Sequence, residues 1–279
     1  TGELDNDRLV YLMTGRKIEK SHYDFQGTGD ASPLLEIRNL SKHRNFHHIS
    51  FSLRAGEILG FTGLLGSGRT ELALALFGLY PADSGDILMN GKKLDIKSID
   101  DAMVAGIGYL PEDRLNQGLF IDHPISDNIV VTVMERLLNQ VGLIDREKKE
   151  ETVNRWVKEL SIKTPDTEAP AQSLSGGNQQ RLVLAKWLAT DPRVFILDGP
   201  TIGVDIGSKS HIHGIIRDLA KNGMGIIVIS DEISEVLQNC SRVLVMSTGR
   251  IVEEISDVTA VTEDEVFTIM SGEKAHAGA

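Results

Sequence analysis

The chain has 279 residues, 41% of them hydrophobic, and a formal net charge of −11. That length buries a full core with room for a subdomain, and the acid excess argues against a nucleic-acid footprint, which needs clustered Lys and Arg. No run approaches the ~20 apolar residues of a membrane-spanning helix and the polar start carries no leader pattern, while the one cysteine, Cys240, excludes an intrachain disulfide and fits a reducing, cytoplasmic compartment.

Residues 1–30 read as detached from the main body of the chain, polar and glycine-bearing around one apolar cluster, Leu9 to Met13. That cluster has a twin. Asp7-Arg-Leu-Val-Tyr-Leu-Met-Thr-Gly15 matches Asp264-Glu-Val-Phe-Thr-Ile-Met-Ser-Gly272 position by position in chemical character, as expected if both close a repeated unit. Residues 1–16 are then the tail of a preceding copy, 17–33 a linker, 34–260 the main domain, and 261–279 a closing helix with a tail.

From Leu34 the pattern alternates. Leu35 and Ile37, then Ile49, Phe51 and Leu53 with Ser50, Ser52 and Arg54 opposite, predict half-buried strands. An apolar run (Ile58, Leu59, Phe61) feeds Gly63-Leu-Leu-Gly-Ser-Gly-Arg-Thr70, and a helical pattern continues from there to Phe77. This is the phosphate-loop spacing G-x-x-x-x-G-K-[ST], with Arg69 where lysine is expected. In such a loop, backbone N–H groups around Gly63, Gly66, Ser67 and Gly68 converge on phosphate oxygens, helped by the helix start that Glu71 joins. Thr70 is then placed to ligate a nucleotide-bound Mg²⁺; the bland alternative is a glycine turn joining strand to helix. Asn90-Gly91 after Ile87 to Met89 predicts a tight hairpin, and the run Ile107 to Leu110 stops at Pro111.

Between Ser126 and Leu160 the period turns helical. Val153, Trp156, Val157 and Leu160 share one face and Asp145 stands at the cap position, which predicts a helical insert over about 113–173. Leu174-Ser-Gly-Gly-Asn-Gln-Gln180 then opens another helix, Val194 to Leu197 is a buried strand ending at Asp198, and strands at Ile226 to Ile229 and Val243 to Met246 alternate with helices. Alternation of this kind predicts an α/β core with a mainly parallel sheet and an antiparallel portion from the early strands.

The glycine loop, the Leu174 to Gln180 stretch and the strand ending at Asp198, in that order, resemble the ATP-binding cassette family. In detail, Gly60 to Glu71, Tyr109-Leu-Pro-Glu-Asp-Arg114, Gly203-Val-Asp205 and Ile229-Ser-Asp-Glu232 look like the C-terminal cassette of fused ATP-binding subunits that energise bacterial ribose-, xylose- or galactose-type importers. The resemblance implies a P-loop cassette that uses ATP or ADP with Mg²⁺. Its partners would be an N-terminal cassette of the same polypeptide, integral membrane permeases and, indirectly, an extracytoplasmic sugar-binding protein. The place would be the cytoplasmic face of the cell membrane, peripherally, with no nucleic acid bound; alone, the chain would be a monomer or weak homodimer.

By the same resemblance Gly63 to Thr70 cradles the triphosphate, and Asp198 holds Mg²⁺. The signature Leu174, Ser175, Gly176, Gly177, Asn178 and Gln179 caps nucleotide across a dimer interface, and Asp205 lies in the loop there. Four positions depart. Arg69 replaces the loop lysine, Glu112 a glutamine that senses the γ-phosphate and lies beside the metal, Gly199 the water-activating glutamate, and Asp231 the switch histidine. Glycine cannot act as a base, and added carboxylates oppose a γ-phosphate, so this half is expected to be a poor ATPase that completes its partner's site. Such an assembly would power sugar uptake. Competing readings are a cytosolic cassette ATPase and a nucleotide-sensing module without a transport role.

The adenine-stacking aromatic of the family is missing; His43 is the nearest substitute, or a surface histidine with no such role. His47-His48, on alternate faces of a strand, and His211 with His213, on different faces of a helix, lack metal-site geometry. Leu115 to Pro124 lies where the family's groove receives a permease helix, or is an ordinary loop.

Overall fold

The computed structural model describes Tyr23, Phe25, Gly27 and residues 32–272. The expected N-terminal tail, with its Asp7–Gly15 copy of the repeated segment, and most of the linker lie outside these residues. The elements run β1 (Leu35–Lys42), β2 (Phe46–Leu53), β3 (Ile58–Gly63), α1 (Arg69–Leu76), β4 (Ser84–Met89), β5 (Lys92–Leu94), α2 (Ile99–Val104) and β6 (Ile107–Leu110). A helical lobe holding α3 (Ile125–Val130) and α4 (Arg146–Glu159) comes next. After it come α5 (Gly176–Leu188), β7 (Val194–Asp198), α6 (Ile206–Lys221), β8 (Gly225–Ile229), α7 (Ile233–Asn239), β9 (Arg242–Ser247), β10 (Arg250–Ile255) and α8 (Glu263–Ser271).

The strands form two sheets. β2-β1-β4-β5 is antiparallel, and β10-β9-β3-β8-β7-β6 is parallel except for its edge strand β10. The parallel strands are apolar without alternation because both their faces are covered. Phe195, Leu197, Ile226, Val228, Val243 and Val245 join the core that holds α6, α7 and the lobe. Their neighbours Val194, Ile196, Ile227, Ile229, Leu244 and Met246 point into the core beneath the antiparallel sheet. A period of two therefore divides each strand between two cores, and the Phe51–Phe61 ring pair, 5.2 Å apart and edge to face, joins the sheets.

Local chemistry explains the ends. Asp145 accepts from Glu147 N and Lys148 N to start α4, whose Val153 and Trp156 face inward with Leu160 just beyond. Thr262 and Glu265 cap α8 reciprocally, and Gly272 ends it. One expected alternation fails: His47 and His48 do not simply take opposite faces, because His48 (φ 53) and Asn39 (φ 49) sit in bulges of β2 and β1. Side-chain hydroxyls replace the missing ladder bonds, with Asn39 N donating to Ser50 Oγ and His48 N to Ser41 Oγ. Among the described residues no His, Cys, Asp and Glu cluster has metal-holding geometry, and no helix is long and apolar enough to cross a membrane.

Candidate nucleotide site

The glycine loop leaves the end of β3 and enters α1 at the carboxyl edge of the parallel sheet, where ligands of open α/β folds bind. Register places the rest of the site. Ile229 of β8 pairs with both Phe61 of β3 and Asp198 of β7, so Ser230 and Asp231 emerge between the glycine loop and Asp198. The resulting cleft is lined by Gly66, Ser67, Gly68, Thr70 and Glu71 on one side and Glu112, Asp198, Gly199 and Asp231 on the other. Gly68 precedes α1 at φ 97, a left-handed conformation that costs a residue with a Cβ about 1–2 kcal/mol. The loop is pinned from below by Gly249 N donating to Ser67 O. Leu65 stands at its tip, 96% exposed.

Asp198 is buried at the bottom, with the Thr70 and Tyr109 hydroxyls beside its carboxylate. Burial pushes its carboxyl up to about 6, with Glu112 adding to the shift and the hydrogen bonds and Arg69 opposing it. The same burial, with Asp198 nearby, drives the Tyr109 phenol far above its usual range.

Arg69 is not aimed at the space a phosphate would take. Its side chain is 7% exposed and its guanidinium is used internally: Nε donates to Ser67 Oγ at 2.9 Å, Nη1 to Ser230 O at 2.9 Å, and Nη2 to Asp231 Oδ1 at 2.5 Å. Two of the four departures thus pair with each other. A third is built into the backbone: Gly199 has φ 59, and a Cβ there would lie 2.5 Å from Ile202 Cδ1 and 3.2 Å from Glu112 Cγ. Glutamate at 199 is therefore expected to cost about 1–2 kcal/mol in chemical unfolding from the left-handed backbone, without creating ATPase activity.

The signature lies outside this cleft. Ser175 sits at the N-cap position of α5 without a side-chain capping bond and is exposed, Gly176 is half-buried and Gly177 is buried. Asn178 ties the turn together, donating to Ser175 Oγ and accepting from Lys163 N, both at 3.0 Å. Asp205 starts α6 by accepting from Ser208 N and Ser208 Oγ, and those bonds hold its carboxyl below the usual range. Ser208 in turn touches Gly177, where an added Cβ would sit 2.3 Å from its Oγ. Gly177 is therefore small for the sake of helix packing as well as for anything it presents outward.

Two residues that the spacing did not single out knit these loops together. Arg114 Nη1 and Nη2 donate to the carbonyls of Ile202 and Gly203, and buried Glu235 accepts from Thr201 Oγ1 at 2.7 Å, from Ser230 Oγ, and lies 3.1 Å from His213 Nε2. Their signal in sequence was only position: Arg114 closes the Tyr109 to Arg114 stretch and Glu235 comes just after Ile229 to Glu232. His43 lies exposed in the turn between β1 and β2 and does not line the cleft; its neighbour Asn45 presents its carbonyl to Gly68. Leu115 and Phe120 are about half exposed on the segment after Glu112. A larger cleft of about 970 Å³ opens at the opposite end of β3, beside the Glu57–Arg242 and Arg242–Glu254 ion pairs. Its carboxylates Glu36, Glu57, Glu254 and Asp257 outnumber its arginines Arg38, Arg54 and Arg242 by one.

A glycine loop, a buried strand-end carboxylate and a small-residue helix start on one α/β frame with a helical lobe define a P-loop cassette. The family profile described as "ABC transporter" matches residues 46–202, and the chain belongs to that family. It is 39% identical over 271 residues to the "Ribose import ATP-binding protein RbsA" of Caldanaerobacter subterraneus subsp. tengcongensis, covering 97% of this chain and 54% of that one. To the protein of the same name from Clostridium tetani it is 42% identical, covering 92% and 51%. The chain thus spans about half the length of these relatives. Among solved structures, the ADP conformation of an ATP-binding cassette of an ABC transporter superposes with a TM-score of 0.74 at 20% identity, covering 87% of this chain and 100% of that one.

Proposed function

We propose that this chain is the second ATP-binding half of a bacterial sugar importer, and that its own nucleotide site is degenerate while its signature completes the site of its partner cassette. The observation that carries this reading is the contrast between the two motifs. In the cleft the loop cation is held by Asp231 and the position after Asp198 is a glycine in a left-handed conformation. At the start of α5, Ser175 stands exposed beside the helix's N–H groups, its oxygen accepting from Asn178. The half-length match to ribose-import proteins supports a tandem polypeptide. A preceding cassette, membrane permeases and an extracytoplasmic sugar-binding protein would then be its partners, at the cytoplasmic face of the membrane.

The residues present fit nucleotide phosphates with Mg²⁺: the Thr70 hydroxyl and the Asp198 carboxylate are adjacent oxygen donors, the ligand type this ion prefers. Thr70, Asp198 and Glu112 would face the ion. Mg²⁺ would supply charge neutralisation for the phosphates. Binding to this chain should be weak, with ADP held at least as well as ATP, and turnover negligible. Calorimetry with MgATP and MgADP checks the first point, and steady-state turnover near 1 s⁻¹, ordinary for a working enzyme, would overturn the second. Copurification of the longer polypeptide with hydrophobic permease subunits tests the transport role, and its absence under conditions that preserve membrane complexes would favour a free-standing ATPase.

A further inference from the structure

We propose that Asp231 is a specificity-determining residue: by holding the Arg69 guanidinium it keeps the site's cation away from the γ-phosphate position and sets the cleft for a nucleoside diphosphate over a triphosphate. This rests on the reading that the cleft takes adenine nucleotide, and it goes further by naming the residue that decides which one.

The charge distribution carries the argument. Among the described residues lining the cleft, Arg69 is the one cation, against the carboxylates of Glu71, Glu112, Asp198 and Asp231. The Arg69–Asp231 pair is lopsided, with the guanidinium 7% exposed and the carboxylate 62% exposed. Its solvent-facing end is therefore negative. A guanidinium has five N–H donors in a fixed plane, and here Nε and Nη1 are held by Ser67 Oγ and Ser230 O while Nη2 meets Asp231, with the carbonyl of Leu64 at 3.4 Å. To reach a phosphate, the arginine must leave the carboxylate.

Asp231 is the one charged acceptor of the guanidinium. Ser67 Oγ and the carbonyls of Ser230 and Leu64 are neutral, so without the carboxylate the arginine is held less firmly and can turn to a phosphate. The carboxylate also sets the field. It neutralises the one cation and faces the site, so a ligand carrying one more phosphate meets more repulsion and finds no counter-charge. Arginine, unlike a flexible lysine, is committed by its planar fork to whichever acceptor holds it.

The test is a double-substitution cycle on this chain, with Arg69→Ala, Asp231→Asn and both together, measuring MgATP and MgADP dissociation constants by calorimetry at one ionic strength. Asp231→Asn should tighten MgATP about tenfold and MgADP by less than about threefold. Arg69→Ala should cost less than about threefold when Asp231 is present, and about tenfold or more in the Asp231→Asn protein, where the guanidinium can turn to the phosphate. Equal effects of Arg69→Ala in both backgrounds, or an unchanged ATP-to-ADP preference in Asp231→Asn, overturn the proposal while leaving the nucleotide site standing. If no version binds either nucleotide, the reading of the cleft itself fails and the pair is structural. Melting temperatures establish that each version is folded, and Asp231→Ser, free of the amide, must shift the preference in the same direction as Asp231→Asn.

Discussion

Gly176→Asp is expected to lower ATP turnover by the two-cassette polypeptide by about 10²–10³-fold, the scale of losing a preorganised donor at a reacting oxyanion. Gly176 is the clean position for this experiment. A Cβ there meets Arg114 Nη2 at 3.1 Å and Gly203 O at 3.3 Å, and the first of these is the end of a flexible side chain. At Gly177 the same atom would strike Ser208 at 2.3 Å, so a loss of turnover would mix a damaged fold with a damaged site. The new carboxylate at residue 176 would stand beside the exposed Ser175, at a helix start whose N–H groups favour anions. It would occupy the place of the partner's phosphate. Ser175→Ala should fall between this variant and the parent protein. Arg69→Ala in the same polypeptide should cost less than about tenfold, because the guanidinium is engaged by Ser67, Ser230 and Asp231. A polypeptide that loses turnover through Arg69→Ala and keeps it through Gly176→Asp would show that this half runs its own reaction.

Asp198→Asn should make the chain more stable at neutral pH while abolishing Mg²⁺-dependent nucleotide binding. An unfolded aspartate ionises near 3.9, whereas burial raises folded Asp198 to about 6. Below about pH 4 both states hold the proton and the site costs nothing. Above pH 6 the folded state carries a buried carboxylate, so stability is lost as pH rises between these values. Converting the shift gives an upper bound of about 3 kcal/mol, reduced in the variant because Asn puts an NH2 donor where one carboxylate oxygen accepted, beside the Thr70 and Tyr109 hydroxyls. The net gain should be about 1–2 kcal/mol at pH 7.5, seen as a melting temperature higher by about 2–8 °C, and should fall steadily as the pH is lowered toward 4. Equal melting curves for the two proteins at both pH values would mean that the carboxylate is not strained by its burial. A cation bound beside Asp198 would remove the penalty of burying its carboxylate at the end of β7.

Glycine spacing, a turn pair such as Asn90-Gly91, the Asp145 cap and the uninterrupted apolar runs of β7 and β8 are local, set by backbone geometry and by water within a few residues. For that reason the phosphate loop, the signature, Asp198 and the α/β alternation could be read from the amino-acid order. The bulges at Asn39 and His48 could not, because they depend on which hydroxyl of the facing strand supplies the missing bond. The same holds for Gly177, whose size answers to Ser208 on another helix. Above all, the sequence shows Arg69 and Asp231 as two separate departures from a familiar pattern, each apparently weakening the site alone. Only the adjacency of β3 and β8 brings them to 2.5 Å, because a charge so buried must find a counter-charge or hydrogen-bond acceptors wherever the sheet order places them, however far away along the chain.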